Sequence, residues 1–256
     1  MVFLRSLAFN VAFYVNLLAH LLAGVPALLL PRRAVTAVVH SWGCSSLWLL
    51  RVICDVKVEF RGREKIPAGA LIVAAKHQSV WETFVLPREF TSPAFVLKRE
   101  LMWIPIFGWM AAKFGCISVD RSAGARAMGD MLAQARRVVS EGRQIVIFPE
   151  GTRRAAGAPP AYKFGVARHY GDLGVPCLPV ALNSGLFWPR RKFARHPGTI
   201  VIEYLDPIPP GLEPREFFGR LQEAIEAATA RLVAEGRGGS LRAAPAAGAS
   251  ESAEAG

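Results

Sequence analysis

His77 closes the apolar run "LIVAA" at 71–75, and Glu82 follows it five positions later in "KHQSVWE". Imidazole titrates near neutrality and can take a proton from an alcohol. A carboxylate on its other ring nitrogen fixes the tautomer and steadies the imidazolium that forms. Five residues are about 500° of helix rotation, so the two side chains would not share a face of one regular helix. They meet only if His77 precedes the helix and the chain turns between them. Ser79 marks such a turn: "SVWE" has the S-x-x-E form of a capping box, in which Glu82 reaches back from the third helical position. The same pattern has a purely structural reading, with Glu82 a cap and His77 a strand-end residue, and this segment alone leaves both open. The chain has no G-x-S-x-G elbow and no obvious cysteine nucleophile near a helix start. A base here would act on the substrate's own hydroxyl without a covalent intermediate.

Two further segments carry chemistry. In "IVIFPEGTRR", 145–154, a buried strand runs into a turn with Glu150, Gly151, Thr152 and Arg153. Glycine lets the backbone approach a ligand, threonine donates a hydroxyl, and arginine presents a planar fork matched to phosphate oxygens. A solvated turn with a structural arginine would read the same way. In "FVLKRELMWIPIFGWMAAKFGCISVDR", 95–121, Lys98, Arg99 and Glu100 fall at one strand end, and Asp120 and Arg121 at another. The apolar "LMWIPIFGWM" between them fits a core segment or the wall of a channel for a greasy substrate, core being the simpler reading.

Taken together and in this order, "KHQSVWE", "GCISVDR", "FPEGTR" and "VPCLPVALN" resemble the four motifs of the glycerolipid acyltransferase family, over about residues 56 to 206. The resemblance implies an acyl thioester donor, acyl-CoA or acyl-carrier protein, and an acceptor with a hydroxyl beside a phosphate. It makes His77 the catalytic base and Glu82 its carboxylate partner. It gives Glu150, Gly151, Thr152 and Arg153 the acceptor phosphate, aided by Arg121 at the end of the second motif and by Lys98 just before it. Asp120 and Pro179 fall at the remaining motif positions. Two departures stand out. Glu82 replaces the aspartate most members have, lengthening the arm by one methylene, and Ser118 stands where an aromatic is common. The expected reaction acylates lysophosphatidate to phosphatidate, with no metal or redox cofactor. Other acceptors fit the same motifs: glycerol 3-phosphate, another lysophospholipid or a lyso-aminolipid. A hydrolase would leave the "EGTR" turn without a role, and a non-catalytic lipid-binding protein would need neither His77 nor Arg153.

The elements that must position these residues are legible in outline. Leu7 to Leu30 is almost wholly apolar, near the length that spans a bilayer core. A signal peptide competes with that reading, but the "LLL" after "VPA" argues against cleavage. Pro31, Arg32 and Arg33 then precede a second apolar stretch, Ala34 to Cys54. The basic pair would resist translocation, which favours a helical hairpin in one leaflet, or one span plus an interfacial helix, over two spans. From residue 55 to 235, "VKVEF", "LIVAA", "AFVL", "CISVD", "QIVIF", "CLPVAL" and "TIVIEYL" read as strands. "GARAMGDMLAQARRVVSEG" and "PREFFGRLQEAIEAATARLVAEG" read as helices, the second with Phe218, Leu221, Ile225, Ala228 and Leu232 on one face. Such alternation predicts an α/β domain around a mostly parallel sheet flanked by helices. The tail, 236–256, is too poor in apolar bulk to fold.

Composition bounds the partners. Lys plus Arg outnumber Asp plus Glu by 31 to 20, a net charge of +11, in a chain of positive mean hydropathy, +0.27. Basic and apolar together fit an anionic membrane surface and acidic ligands. Nothing resembles a nucleic-acid-binding motif. Cys44, Cys54, Cys116 and Cys177 form no CxxC and read as small buried residues of a reducing compartment. "LFWPRRKFARH", 186–196, interleaves Phe187, Trp188 and Phe193 with Arg190, Arg191, Lys192 and Arg195, and reads as an interfacial anchor on the same side as the hairpin. Ala, Arg and Gly richness points to a GC-rich bacterium. The active site is then expected to face the cytoplasm from the inner membrane.

Overall fold

The computed structural model describes residues 1–120 and 124–243. Seven strands appear, one in each segment read as a strand: β1 (Val56–Arg61), β2 (Leu71–Ala75), β3 (Pro93–Lys98), β4 (Ile117–Val119), β5 (Gln144–Ile147), β6 (Cys177–Leu182) and β7 (Gly198–Tyr204). They form one sheet in the order β1-β7-β6-β2-β5-β3-β4. Every pairing is parallel except β6 with β7, so five strands run one way and the β7–β1 edge runs the other. Val73 of β2 lies between Val146 of β5 and Leu178 of β6.

Among the described residues eight α-helices flank the sheet: α1 (Val2–Ala27), α2 (Arg32–Cys54), α3 (Glu82–Glu89), α4 (Phe107–Phe114), α5 (Gly124–Ser140), α6 (Gly165–Leu173), α7 (Ser184–Phe187) and α8 (Pro214–Ala243). The pleat of β2 sorts them into two layers. Leu71, Val73 and Ala75 join the core made with Phe9 and Phe13 of α1, Leu50 of α2, Phe84 of α3 and Phe114 of α4. Ile72 and Ala74 point the other way, onto Val166 and Tyr170 of α6 and Phe217, Leu221 and Ile225 of α8. Helix α8 buries Phe217 rather than Phe218, which packs more loosely beside Tyr162 and Phe164. Two adjacent phenylalanines differ by about 100° of phase, and burying Phe217 lets it stack on Tyr170 at 3.7 Å. The same helix runs on past Gly236 to Ala243. Residues 244–256 of the tail lie outside the described residues.

α1 and α2 form the expected hairpin, and each is long and apolar enough to cross a membrane. Each presents a buried stripe to the domain. At Gly43 of α2 a side chain would meet the Phe84 carbonyl at 2.5 Å, so α2 lies directly on the backbone of α3. Asn16 binds both Ser45 and Ser46, and His20 binds Ser41, along a polar seam between the two helices.

The 186–196 segment lies against α1, on the hairpin side, but not as an exposed anchor. Phe187 and Trp188 are buried, and Trp188 packs edge-on against Phe9 and Phe13. Arg195 is buried as well. Its guanidinium covers Trp188 at 4.5 Å and donates to Asn10 and to the carbonyls of Lys192, Phe193 and Ala194. The apolar stripe of α1 offers these rings more burial than a headgroup layer would, which leaves Phe193 as the exposed aromatic. Among the cysteines, all free, Cys44 is exposed rather than buried.

Candidate active site

β2, β5 and β6 are parallel neighbours, and the loops at their C-terminal ends converge. That is where ligands sit in open α/β sheets. β2 ends at Ala75, and two residues on comes His77. β5 runs into Phe148–Arg153, and β6 into Asn183 and Ser184. His77 Nδ1 lies 3.2 Å from Glu82 Oε2, so the turn between them does bring base and carboxylate together. The imidazole stacks on Phe148, centroids 3.9 Å apart and planes 16° from parallel. One nitrogen is thus occupied and one face covered, leaving Nε2 for a substrate.

Glu82 has no exposed surface. Its two oxygens accept the Ser79 N–H at 3.1 and 3.0 Å, which is the reach-back half of a capping box. The other half differs: Ser79 Oγ accepts from Trp81 N–H, and α3 begins at Glu82 itself. The Ser184 hydroxyl donates to Glu82 Oε1 across the sheet. Cap and catalytic partner are therefore one carboxylate, aimed by a backbone donor on one side and a hydroxyl on the other. Gln78 ties the same two loops together by accepting the Gly185 N–H at 2.9 Å.

Two cavities meet beside this pair. One, of about 580 Å³, is lined by His77, Gly151, Thr152 and Arg153, with Lys98, Lys163, Arg190 and Arg191. Among the described residues five cations face it and no carboxylate does. The other, of about 760 Å³, lies between the hairpin and the domain and is mainly apolar. Its wall includes Phe13, Leu17 and Leu21 of α1, Val38 and Trp42 of α2, and Ile104, Phe107, Met110 and Phe114. "LMWIPIFGWM" is thus channel wall as well as packing. Val80, Thr83, Leu97, Leu101, Arg153 and Arg191 border both cavities. A hydroxyl held at the junction would meet His77 with an anion on one side and a hydrocarbon chain on the other.

Comparison with known proteins agrees with this geometry. A family model described as Acyltransferase matches residues 57–183. A 1-acyl-sn-glycerol-3-phosphate acyltransferase of Pseudomonas aeruginosa is 39% identical over 175 residues, covering 68% of each chain. The chain belongs to the acyltransferase family. A relative from Chlamydomonas reinhardtii with the same printed activity is 28% identical over 201 residues, 76% of this chain but only 58% of its own length. The crystal structure of the 1-acyl-sn-glycerophosphate acyltransferase PlsC from Thermotoga maritima superposes with a TM-score of 0.74. It shares 24% identity and covers 91% of this chain and 99% of that one, which establishes the fold.

Within this acyltransferase fold the expected site residues divide. His77, Lys98, Gly151, Thr152 and Arg153 line the cationic cavity, and Glu82 stands behind His77. Glu150 does not join them. Its carboxylate is buried on Lys76 at 3.2 Å, and Lys76 also holds Glu226 of α8 at 2.6 Å. Tyr162 donates to Glu226, completing a buried cluster that locks the base segment, the phosphate turn and α8 together. Burial raises the Glu150 pKa despite the opposing pull of Lys76. It sits beneath the turn as a strut and does not line the cationic cavity, because the buried Lys76 ammonium holds its carboxylate on the other side. Asp120 pairs with Arg99 at 3.2 Å. Pro179 is buried within β6 beside Ala74 of β2, a scaffold position. Arg121 lies outside the described residues. The sequence reading missed Lys76, Lys163 and Ser184, and it placed Arg190 and Arg191 on a membrane. Arg190 instead donates to the Arg153 carbonyl at 2.7 Å, and Arg191, at φ 56°, borders both cavities.

Proposed function

We propose that this chain transfers an acyl group from an acyl thioester, acyl-CoA or acyl-carrier protein, to the free hydroxyl of lysophosphatidate, giving phosphatidate. The observation that carries the proposal is the position of the His77–Glu82 pair where a cationic cavity meets an apolar one. The printed activity of the Pseudomonas aeruginosa relative supports the same acceptor. Arg153 and Thr152, with Lys98, hold the acceptor's phosphate and so position its hydroxyl. His77 Nε2 removes the hydroxyl proton as oxygen attacks the thioester carbonyl, and Glu82 stabilises the imidazolium. Collapse of the tetrahedral intermediate expels the thiolate, which takes up the proton from His77. The acyl chain lies in the apolar cavity. A zwitterionic headgroup finds no carboxylate among the described residues of the pocket lining, so a phosphomonoester fits better. The reaction drawn in this way uses a co-substrate and no cofactor.

The hairpin supports a membrane location for this site. Phe3, Leu4, Val11, Tyr14, Val15 and Leu18 of α1 and Trp48 and Val52 of α2 are exposed apolar residues. Both helices also pack along the domain, so they serve as a hairpin in one leaflet better than as two free spans. A cytoplasmic face fits, because acyl thioesters are made there; the bacterial inner membrane is the expected location. The test is acyl transfer to lysophosphatidate in membranes carrying wild type or His77→Ala at matched expression. Phosphatidate is expected from the wild type, with a loss of about 10²- to 10⁴-fold in the variant. Equal product from both would remove His77 from the mechanism.

A further inference from the structure

We infer that Lys163 binds the second negative charge of the acceptor's phosphomonoester and sets a preference for monoester over diester lyso-lipids; this rests on the phosphate-bearing acceptor proposed above. Lys163 lies outside the four motifs, yet its side chain lies on the phosphate turn. A Cβ added at Gly151 would stand 3.4 to 3.6 Å from Lys163 Cε, Cδ and Nζ. Gly151 has φ +64°, the left-handed region that favours glycine, and its N–H closes the turn onto the Phe148 carbonyl at 2.8 Å. The backbone fixes Lys163 in this place, since its N–H donates to the Pro149 carbonyl at 2.9 Å, just ahead of the turn. Its neighbours are tied to the same segment: Ala161 N–H reaches Glu150, and the Tyr162 hydroxyl reaches Glu226.

Charge balance assigns the role. Lys163, Lys98, Arg153, Arg190 and Arg191 line one cavity with no carboxylate among the described residues of its walls. Among the described residues none of the five forms an ion pair. Arg190 spends a donor on the Arg153 carbonyl and so braces the turn. Arg153 presents a fork suited to two oxygens of one phosphate. A phosphomonoester carries close to two charges at neutral pH, its second pKa being about 6, whereas a diester carries one. Lys163, a compact ammonium directly above the turn, is placed to meet the additional charge.

The experiment measures KM and kcat for lysophosphatidate and for lysophosphatidylglycerol, a singly charged diester, in wild type, Lys163→Met and Lys163→Arg. Lys163 is exposed, so the unbranched methionine leaves folding intact. Lys163→Met is expected to raise KM for lysophosphatidate about tenfold with kcat within twofold, and to leave the diester nearly unaffected. Wild-type KM should fall as pH rises through the second phosphate pKa, and that dependence should flatten in Lys163→Met and return in Lys163→Arg. An unchanged monoester-to-diester ratio, or equal losses for both, overturns the assignment. Calorimetric binding of lysophosphatidate in detergent separates the two proposals. A wild type that binds but forms no product, with tenfold weaker binding in Lys163→Met, overturns the transfer reaction and upholds Lys163. A wild type that neither binds nor reacts overturns both.

Discussion

Replacing Glu82 with glutamine tests whether this residue is more than a cap. The carboxylate accepts from three directions: Ser79 N–H, the Ser184 hydroxyl and His77 Nδ1. An amide cannot serve all three. With its oxygen toward Ser79 and Ser184, its NH₂ faces Nδ1 and forces that nitrogen to accept. The proton then moves to Nε2, where the base must be empty. Flipped, the amide oxygen keeps Nδ1–H and the Ser79 N–H, but the NH₂ takes the Oε1 place, beside that same N–H and against the Ser184 hydroxyl that donates there, in a site with no access to water. Reversing the tautomer of a catalytic histidine in this way costs about 10⁴-fold in kcat in a Ser–His–Asp triad, and about 10³- to 10⁴-fold is expected here. The mismatched buried donor should also lower stability by about 1–3 kcal/mol. Glu82→Asp keeps charge and tautomer but shortens the arm, so it should retain far more activity than Glu82→Gln. Initial rates with lysophosphatidate and an acyl thioester, alongside melting temperatures in detergent, measure both effects. Glu82→Gln with kcat within tenfold of wild type and unchanged KM would refute the pairing. The contact at 3.2 Å would then be a cap beside an unrelated base.

Two further outcomes follow from the buried groups. Lys76→Met leaves Glu150 buried without its cation, and losing one partner of such a pair costs about 3–5 kcal/mol; adding Glu150→Gln should recover part of it, and chemical unfolding that shows no recovery would mean the ion pair is not what joins the two loops. His169 of α6 is buried, and burial lowers its pKa below the ordinary imidazole value despite the opposing charge of Asp172. Through the interval between those two values the unfolded chain holds more protons than the folded one. The neutral ring's stability is therefore full above the ordinary value and is lost as pH falls toward the lowered one. His169→Gln should flatten melting temperature against pH below the ordinary imidazole value of about 6.5, and an identical slope in both proteins would discard this source of acid sensitivity.

Most strands were legible because they are short runs of β-branched and aliphatic residues, which a sheet covered on both faces needs, and β1, buried only at Val56, was legible by its alternation. Helices α4 and α6 were not, since "FGWMAAKF" and "GVARHYGDL" are little more than two turns each and the first also lines a cavity. Of the site, the local part was legible. His77 and Glu82 lie five residues apart in sequence, and Gly151 to Arg153 are consecutive. The misreadings all depend on distant residues. Glu150 has a ligand's composition in a glycine-rich turn, but its partner Lys76 is 74 residues away and pulls it out of the pocket. Arg190, Phe187 and Trp188 look like a membrane anchor until α1 covers the Trp188 ring, Phe187 packs beside Gly198 of β7, and the Arg153 carbonyl takes the Arg190 guanidinium.

Ser184 shows why this matters for mechanism. No local pattern marks it, yet its hydroxyl crosses 102 residues of sequence to aim the carboxylate behind His77. The parallel register of β2 with β6, Ala75 beside Val180, makes that crossing possible, because it delivers both strand ends to the same edge. Shifting that register by one residue would turn Ala75 toward α8 and swing the His77 segment away from Ser184. The chemistry of this site thus depends on sheet pairing as directly as on the motif residues, and the motif is functional only in the frame that pairing sets.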